Sequence, residues 1–175
     1  MTELPEGFKW VDCPAAEARA CMPESWEFRE RRAQDGRIEY KMLLDDPNLK
    51  RNEMVGMGVS ATGHVHLLKR APAVLAAKQM VDLPDEMFMA PASETEVLRS
   101  DRLITFRRVM QVRAGVFGPR NGPPMTTYLS AAGDNKADKL YVATFNAPTN
   151  RWEEFQPIAK VMIENVLFGP QREGA

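Results

Sequence analysis

Residues 125–148 read MTTYLSAAGDNKADKLYVATFNAP. Two apolar runs, 125–133 and 138–148, flank Gly133-Asp134-Asn135. That pattern predicts an antiparallel hairpin whose loop is longer than the tightest two-residue type. In the second run Leu140 and Val142 point one way, and Tyr141, Ala143 and Phe145 the other. A strand without a polar face needs cover on both sides and belongs in the middle of a sheet. The expected fold class is therefore α+β, an antiparallel β-sheet flanked by helices on both faces, an α/β/α sandwich.

The residues after the hairpin supply part of that cover. Trp152, Phe155, Ala159, Met162 and Val166 recur at helical spacing, with Glu153, Glu154, Lys160 and Glu164 on the wetter side. Thr149 or Asn150 suits the N-cap. Pro157 removes an interior hydrogen bond, so a loose first turn and a regular helix from about residue 155 are expected. Gly169-Pro170 reads as the stop. Trp152 at this spacing reads as core rather than as a stacking platform.

Before the hairpin, residues 117–124 (FGPRNGPP) form the most loop-like segment, with two glycines and three prolines. It reads as a strand connector; no Gly-Lys-Ser/Thr follows, so it is not a phosphate-binding loop. Residues 94–115 read as two strands. In the second, Ile104, Phe106, Met110 and Val112 share a face that Arg108 interrupts. Such an arginine snorkels to the sheet edge, pairs with a carboxylate, or clamps an anionic ligand. A first helix opens near Pro72, with Val74, Leu75, Met80, Val81 and Leu83 and the intervening alanines as its apolar stripe. The connection that follows, DEMFMAP, carries Met87, Phe88 and Met89 and is the best candidate for an exposed apolar patch. The chain holds 11 methionines, a residue that suits both flexible core filling and surfaces that accept varied partners.

Both histidines lie in Gly63-His64-Val65-His66. Read as one strand from Val55 to Leu67, the segment places His64 and His66 on its less apolar face, about 7 Å apart along the backbone. The pair could form one arm of a metal site, but zinc would require one or two more ligands, and there is no third histidine. A solvent-side or groove-lining pair is the expectation, with Gly63 as a bulge or strand end. Further upstream, 36–44 alternates with period two, with Ile38, Tyr40, Met42 and Leu44 against Glu39 and Lys41. Residues 8–13, 16–22 and 26–32 read as short strands, with a turn at 23–26. Cys13 and Cys21 flank a possible hairpin. They are expected to be two semi-buried thiols rather than a bridge.

A chain of 175 residues is long enough to bury a real core and is expected to form one domain over 1–175. Its formal net charge of -1 exerts no overall pull toward nucleic acid or acidic lipid. The opening MTELPEGFKW lacks the basic end and apolar run of a signal peptide, and no apolar run is long enough to span a bilayer. The expectation is a cytoplasmic, soluble protein without nucleic-acid or membrane partners. No Ser sits in a Gly-x-Ser-x-Gly elbow. Asp45, Asp46, Asp134 and Asp138 fall in loops and read as solvated turn residues. No catalytic residue, cofactor or metal is expected.

Three stretches carry a family resemblance: CMPESW at 21–26, the run from Tyr128 to Phe155, and IAKVMIENVLF at 158–168. Together with the element order they resemble the PsbP-like fold of extrinsic photosystem proteins. That fold is shared with a Ran-GTPase-binding nuclear transport factor and with small bacterial proteins of unknown function. The resemblance implies a non-enzymatic adaptor, chaperone or assembly factor whose partner is another protein, acting as monomer or homodimer. One form of that role is a chaperone for a secreted effector. The resemblance transfers no binding residues. From the residues themselves, the ligand- or partner-binding candidates are His64, His66, Arg108, Met87, Phe88 and Met89. A small-ligand or anion binder using His64, His66 and Arg108 is the alternative, and an enzyme using the histidine pair is the third reading.

Overall fold

The computed structural model of the chain describes residues 3–49, 53–115 and 120–169. The first residues of the 117–124 loop, the 50–52 end of the preceding polar loop and Pro170 of the expected helix stop lie outside the described residues. Among the described residues the chain forms ten strands and three α-helices. The strands are β1 (Phe8–Cys13), β2 (Ala18–Pro23), β3 (Glu27–Arg32), β4 (Ile38–Leu43), β5 (Gly56–Gly63), β6 (Glu96–Arg99), β7 (Ile104–Val112), β8 (Met125–Asp134), β9 (Lys139–Pro148) and β10 (Leu167–Phe168). The helices are α1 (Val65–Lys69), α2 (Ala73–Val81) and α3 (Trp152–Glu164).

Seven strands form one antiparallel sheet in the order β3-β4-β5-β9-β8-β7-β6. The strand read as having no polar face, β9, is its middle strand, with β8 beside it. Phe145, Tyr141 and Leu129 have no solvent exposure. Helices cover both faces, as the apolar composition of the hairpin requires. On one face α3 packs over Ala143, Phe145 and Met57 with Phe155, Ala159, Met162 and Ile163. Trp26 and Trp152 flank the Phe145 ring at 6.0 and 6.2 Å between centroids. On the other face α2 packs over Phe106, Met110, Leu129 and Ala131.

Several details depart from the sequence expectations. A second sheet, β1-β2-β10, joins α3 over the first face, burying Ala18, Ala20 and Met22 against the same core. The closing helix ends at Glu164. The Asn165 side chain donates to the Val161 carbonyl at 2.8 Å, and Leu167 and Phe168 turn back to pair with Arg19 and Ala18. The short strand was hidden in what reads as continuous helical spacing. Neither Thr149 nor Asn150 caps α3, because a 3-10 turn over Thr149–Arg151 precedes it and carries the chain into the helix at Trp152. Pro157 lies inside that helix.

One residue of the expected apolar stripe of α2 departs from it, since Val74, Met80, Val81 and Leu83 pack against the core but Leu75 does not. Ala73, Ala76, Ala77 and Val81 face the sheet, while Leu75 is exposed. Gly133 explains this. A Cβ placed there would collide with the backbone of Ala73 and Val74, so helix and sheet approach too closely for large side chains between them.

Candidate functional site

Arg108 lies near the middle of β7, where two different segments share the same strand edge. β6 pairs with residues 104–107. The chain between Met87 and Ser93 follows residues 109–113, through Met89 N to Gln111 O at 2.9 Å, Ser93 N to Val109 O at 3.0 Å and Arg113 N to Met87 O at 3.2 Å. This segment is anchored at its ends and arches over Ala90 and Pro91, with Ala92 partly buried against the core. Under the arch lies an open cleft of ≈ 500 Å³ lined by Asp85, Phe88, Met89, Pro91 and Arg108 among others.

Arg108 donates from Nε to the Ser93 carbonyl at 2.9 Å and from Nη1 to the Val81 carbonyl at 3.0 Å. Its guanidinium carbon lies 5.4 Å from the centre of the Phe88 ring. The side chain thus neither snorkels to a bare edge nor pairs with a carboxylate. Neutral carbonyls and an aromatic face hold it, and among the described residues no ion pair neutralises its charge. Beyond Met89 a second cleft of ≈ 410 Å³ is lined by Gln111, Pro123, Pro124, Thr149 and Asn150. Met89, 54% exposed, stands between the two. Of the sequence candidates, Phe88, Met89 and Arg108 therefore line one cleft, and the exposed Met87 is next to them in the chain but outside its lining.

The histidines sit elsewhere. β5 stops at Gly63, His64 turns into the left-handed region at φ 53, and Val65 begins α1. Neither histidine lines the Arg108 cleft, so one pocket built from His64, His66 and Arg108 is not formed. His66 pairs through Nδ1 with the Asp138 carboxylate, and its backbone N–H donates to the same carboxylate at 3.0 Å. The Asp138 carbonyl accepts from Val65 N at 3.3 Å. Desolvation pushes the Asp138 carboxyl up, but the two His66 hydrogen bonds and the nearby imidazoles of His66 and His64 together outweigh it and hold the carboxyl below its usual range. His64 and His66 thus belong to a corner in which Asp138 caps a short helix. Among the described residues no group of three or more His, Cys, Asp or Glu is placed to hold a metal ion.

The rest of that hairpin turn is equally engaged. The Asn135 side-chain oxygen accepts from Val74 N at 2.9 Å, which caps α2. Asp134, expected as a solvated turn residue, is buried. It accepts from Lys136 N and Ala137 N, both at 2.9 Å, and from Arg102 Nη2 at 2.8 Å. Next to it Lys139 and the Tyr141 hydroxyl hold Glu17, which sits at φ 44 after the 3-10 turn of Pro14–Ala16. The Lys139 hydrogen bond holds the Glu17 carboxyl below its usual range, while burial pushes the Tyr141 hydroxyl up to about 12. Nothing in the linear sequence paired Glu17 with Lys139. The Gly-Asp-Asn turn was a visible signal, but its caps depend on where two helices land.

Cys13 and Cys21 are buried, free thiols. In the β1–β2 register Cys13 faces Ala18 and Cys21 faces Trp10, so they do not oppose one another. Burial pushes their thiols up to about 12 and about 11, well away from nucleophilic ionisation at neutral pH.

Sheet order, the two covered faces and the closing helix define an α+β protein of PsbP-like fold. The solution structure of cyanobacterial PsbP from Synechocystis sp. PCC 6803 matches 93% of this chain and 93% of its own, with a TM-score of 0.53 and 9% identity. A crystal structure from Bacteroides thetaiotaomicron matches 95% of this chain at a TM-score of 0.51 and 12% identity, and this chain spans 50% of that one. At such identities the likeness is one of fold. No family model and no curated protein matches the chain. Among the described residues, no helix is long and apolar enough to cross a membrane.

Proposed function

We propose that this PsbP-like protein is a non-enzymatic adaptor, chaperone or assembly factor that docks another protein on the rim formed by Met87, Phe88, Met89 and Arg108. The observation that carries this reading is the pair of open clefts meeting at the exposed Met89. A flexible thioether between a mixed polar and apolar cleft and a mainly apolar one suits side chains of varied shape. Phe88 supplies the aromatic anchor typical of interface centres. A chaperone for a secreted effector is one form of this role.

The test is affinity capture from the source organism with wild type, Met89→Glu and the double variant His64→Ala/His66→Ala. The expected result is a stoichiometric protein partner bound by wild type and by the histidine variant and lost with Met89→Glu. An identical captured set for wild type and Met89→Glu overturns the docking site. Loss of turnover of a small molecule in the histidine variant would instead establish an enzyme.

A second reading has its own observation, the Arg108 guanidinium without a carboxylate partner among the described residues. It is an anion-binding role for the ≈ 500 Å³ cleft. Phosphate, sulfate and citrate should then raise the thermal midpoint of wild type, since a ligand of the native state stabilises it. The rise should vanish in Arg108→Gln, and an equal rise in both proteins rejects the idea.

A further inference from the structure

Leu67 and Leu68 are 68% and 65% exposed, the most exposed large apolar side chains of the described residues. They lie side by side on α1, a helix of five residues. So short a helix does not persist on propensity alone. Here the buried Val65 and the Asp138 caps hold it in place. The exposed leucines are thus presented deliberately by a supported corner rather than by a frayed end.

The surroundings of that corner are cationic. His64, His66, Lys69, Arg70 and Lys136 are all exposed. Among the described residues Lys69, Arg70 and Lys136 enter no ion pair, and the neighbouring Asp138 carboxylate is engaged by His66. The formal net charge of -1 for the whole chain conceals this local excess. Lys69 also borders an apolar cleft of ≈ 250 Å³ formed by Ala76, Met80, Leu83 and Leu140.

An anionic surface is the complement of this tip, and two kinds exist, an acidic protein and an acidic bilayer. The geometry favours the bilayer. Adjacent helical residues point about 100° apart, so Leu67 and Leu68 do not make the i, i+3, i+4 stripe that a protein groove reads. Two leucines also fall far short of the roughly 800 Å² per partner of a stable protein interface. A bilayer needs no matching pocket, and small apolar insertions combined with basic residues suffice to hold a protein at its surface.

We propose that the α1 corner is a peripheral anchor for anionic lipid, with Leu67 and Leu68 entering at headgroup depth and Lys69, Arg70 and Lys136 facing the lipid phosphates. This surface is separate from the Met89 rim and does not depend on the role given to that rim.

The test is co-sedimentation of the full chain with vesicles of phosphatidylcholine alone or of phosphatidylcholine containing phosphatidylglycerol. Wild type sediments with the anionic vesicles at low ionic strength, much less with the neutral ones, and less as salt rises. Each basic residue near an anionic leaflet contributes about fivefold in partitioning. Lys69→Glu/Arg70→Glu therefore lowers binding by roughly 25-fold or more. Leu67→Ser/Leu68→Ser lowers it about tenfold or more. Both variants change only exposed side chains, and Met89→Glu, on the other surface, sediments as wild type. The proposal is overturned if wild type stays in the supernatant with anionic vesicles. Sedimentation of either double variant like wild type, or equal binding to neutral vesicles, also overturns it. Loss of an acidic soluble protein from affinity capture by the leucine variant, without any vesicle binding, assigns the tip to a protein partner instead.

Discussion

The hairpin turn at 133–139 and the arch at 87–93 are loops of similar length, but their polar and apolar groups are used in opposite ways. In the turn, Asp134, Asn135 and Asp138 all face inward to backbone N–H groups or to Arg102 and His66, and Gly133 lets α2 rest against it. In the arch, hydrogen bonds fix the two ends while Met87 and Met89 remain exposed and clefts open on either side of Met89. The contrast teaches how to tell a scaffold loop from a docking loop. Where the carboxylates and the amide already have internal partners, only a lysine such as Lys136 is left to face outward; where only the ends are pinned, apolar side chains remain available.

Gly133→Val strains the turn most. If the turn is the seat of α2, the added side chain forces helix and sheet apart. Stability should fall by about 3 kcal/mol, at the upper end of overpacking effects. A urea midpoint near that of wild type would mean that α2 has room to shift. Asn135→Ala and Asp138→Ala come next. Each removes a helix cap; Asn135→Ala should cost about 1 kcal/mol by denaturant titration, and Asp138→Ala should lower the midpoint in the same direction. Changes of a few tenths would make the caps incidental.

Glu17 sharpens the same side of the comparison through pH. Its carboxyl is held below its usual range by the Lys139 hydrogen bond first and by the Tyr141 hydroxyl as well. A group with a lowered folded pKa stabilises the native state above its unfolded value of about 4.3, and that contribution disappears as pH falls through the folded pKa. Glu17 is more than a third exposed, so solvent screening keeps the effect under about 1 kcal/mol. Urea midpoints of wild type should drop more steeply between about pH 5 and about pH 3 than those of Glu17→Gln. Parallel curves would remove the ion pair from the account. The smallest effect belongs to the arch. Met89→Ala should change stability by less than about 0.5 kcal/mol while weakening partner capture. A large loss of stability would make Met89 a packing residue.

Much of the fold could be read from particular residues. Leu140, Val142, Tyr141, Ala143 and Phe145 placed β9 in the interior because they leave no face for water. Of the expected apolar patch, Met87 and Met89 are exposed, whereas Phe88 is half-buried against the core under α2. The histidines were misplaced on a strand because period two continues through residues 64–67, whereas Gly63 ends the ladder and His64 reverses the backbone. Leu75 was expected to face the core, but proximity to Gly133 admits alanines there and turns the leucine outward. Leu167 and Phe168 were expected in a helix, and pairing with β2 drew them into a strand.

The amino-acid order by itself determined the local periods: which runs extend, which coil, where the chain turns, and that the central hairpin needs cover on both faces. Those properties depend on neighbours within a few residues. Only the tertiary structure decided that Asp138 would cap α1, that Glu17 would meet Lys139, and that Arg108 would lie under an arch beside Phe88. Each of these contacts joins groups far apart along the chain, and their partners are fixed by sheet register and helix approach, which no local pattern encodes.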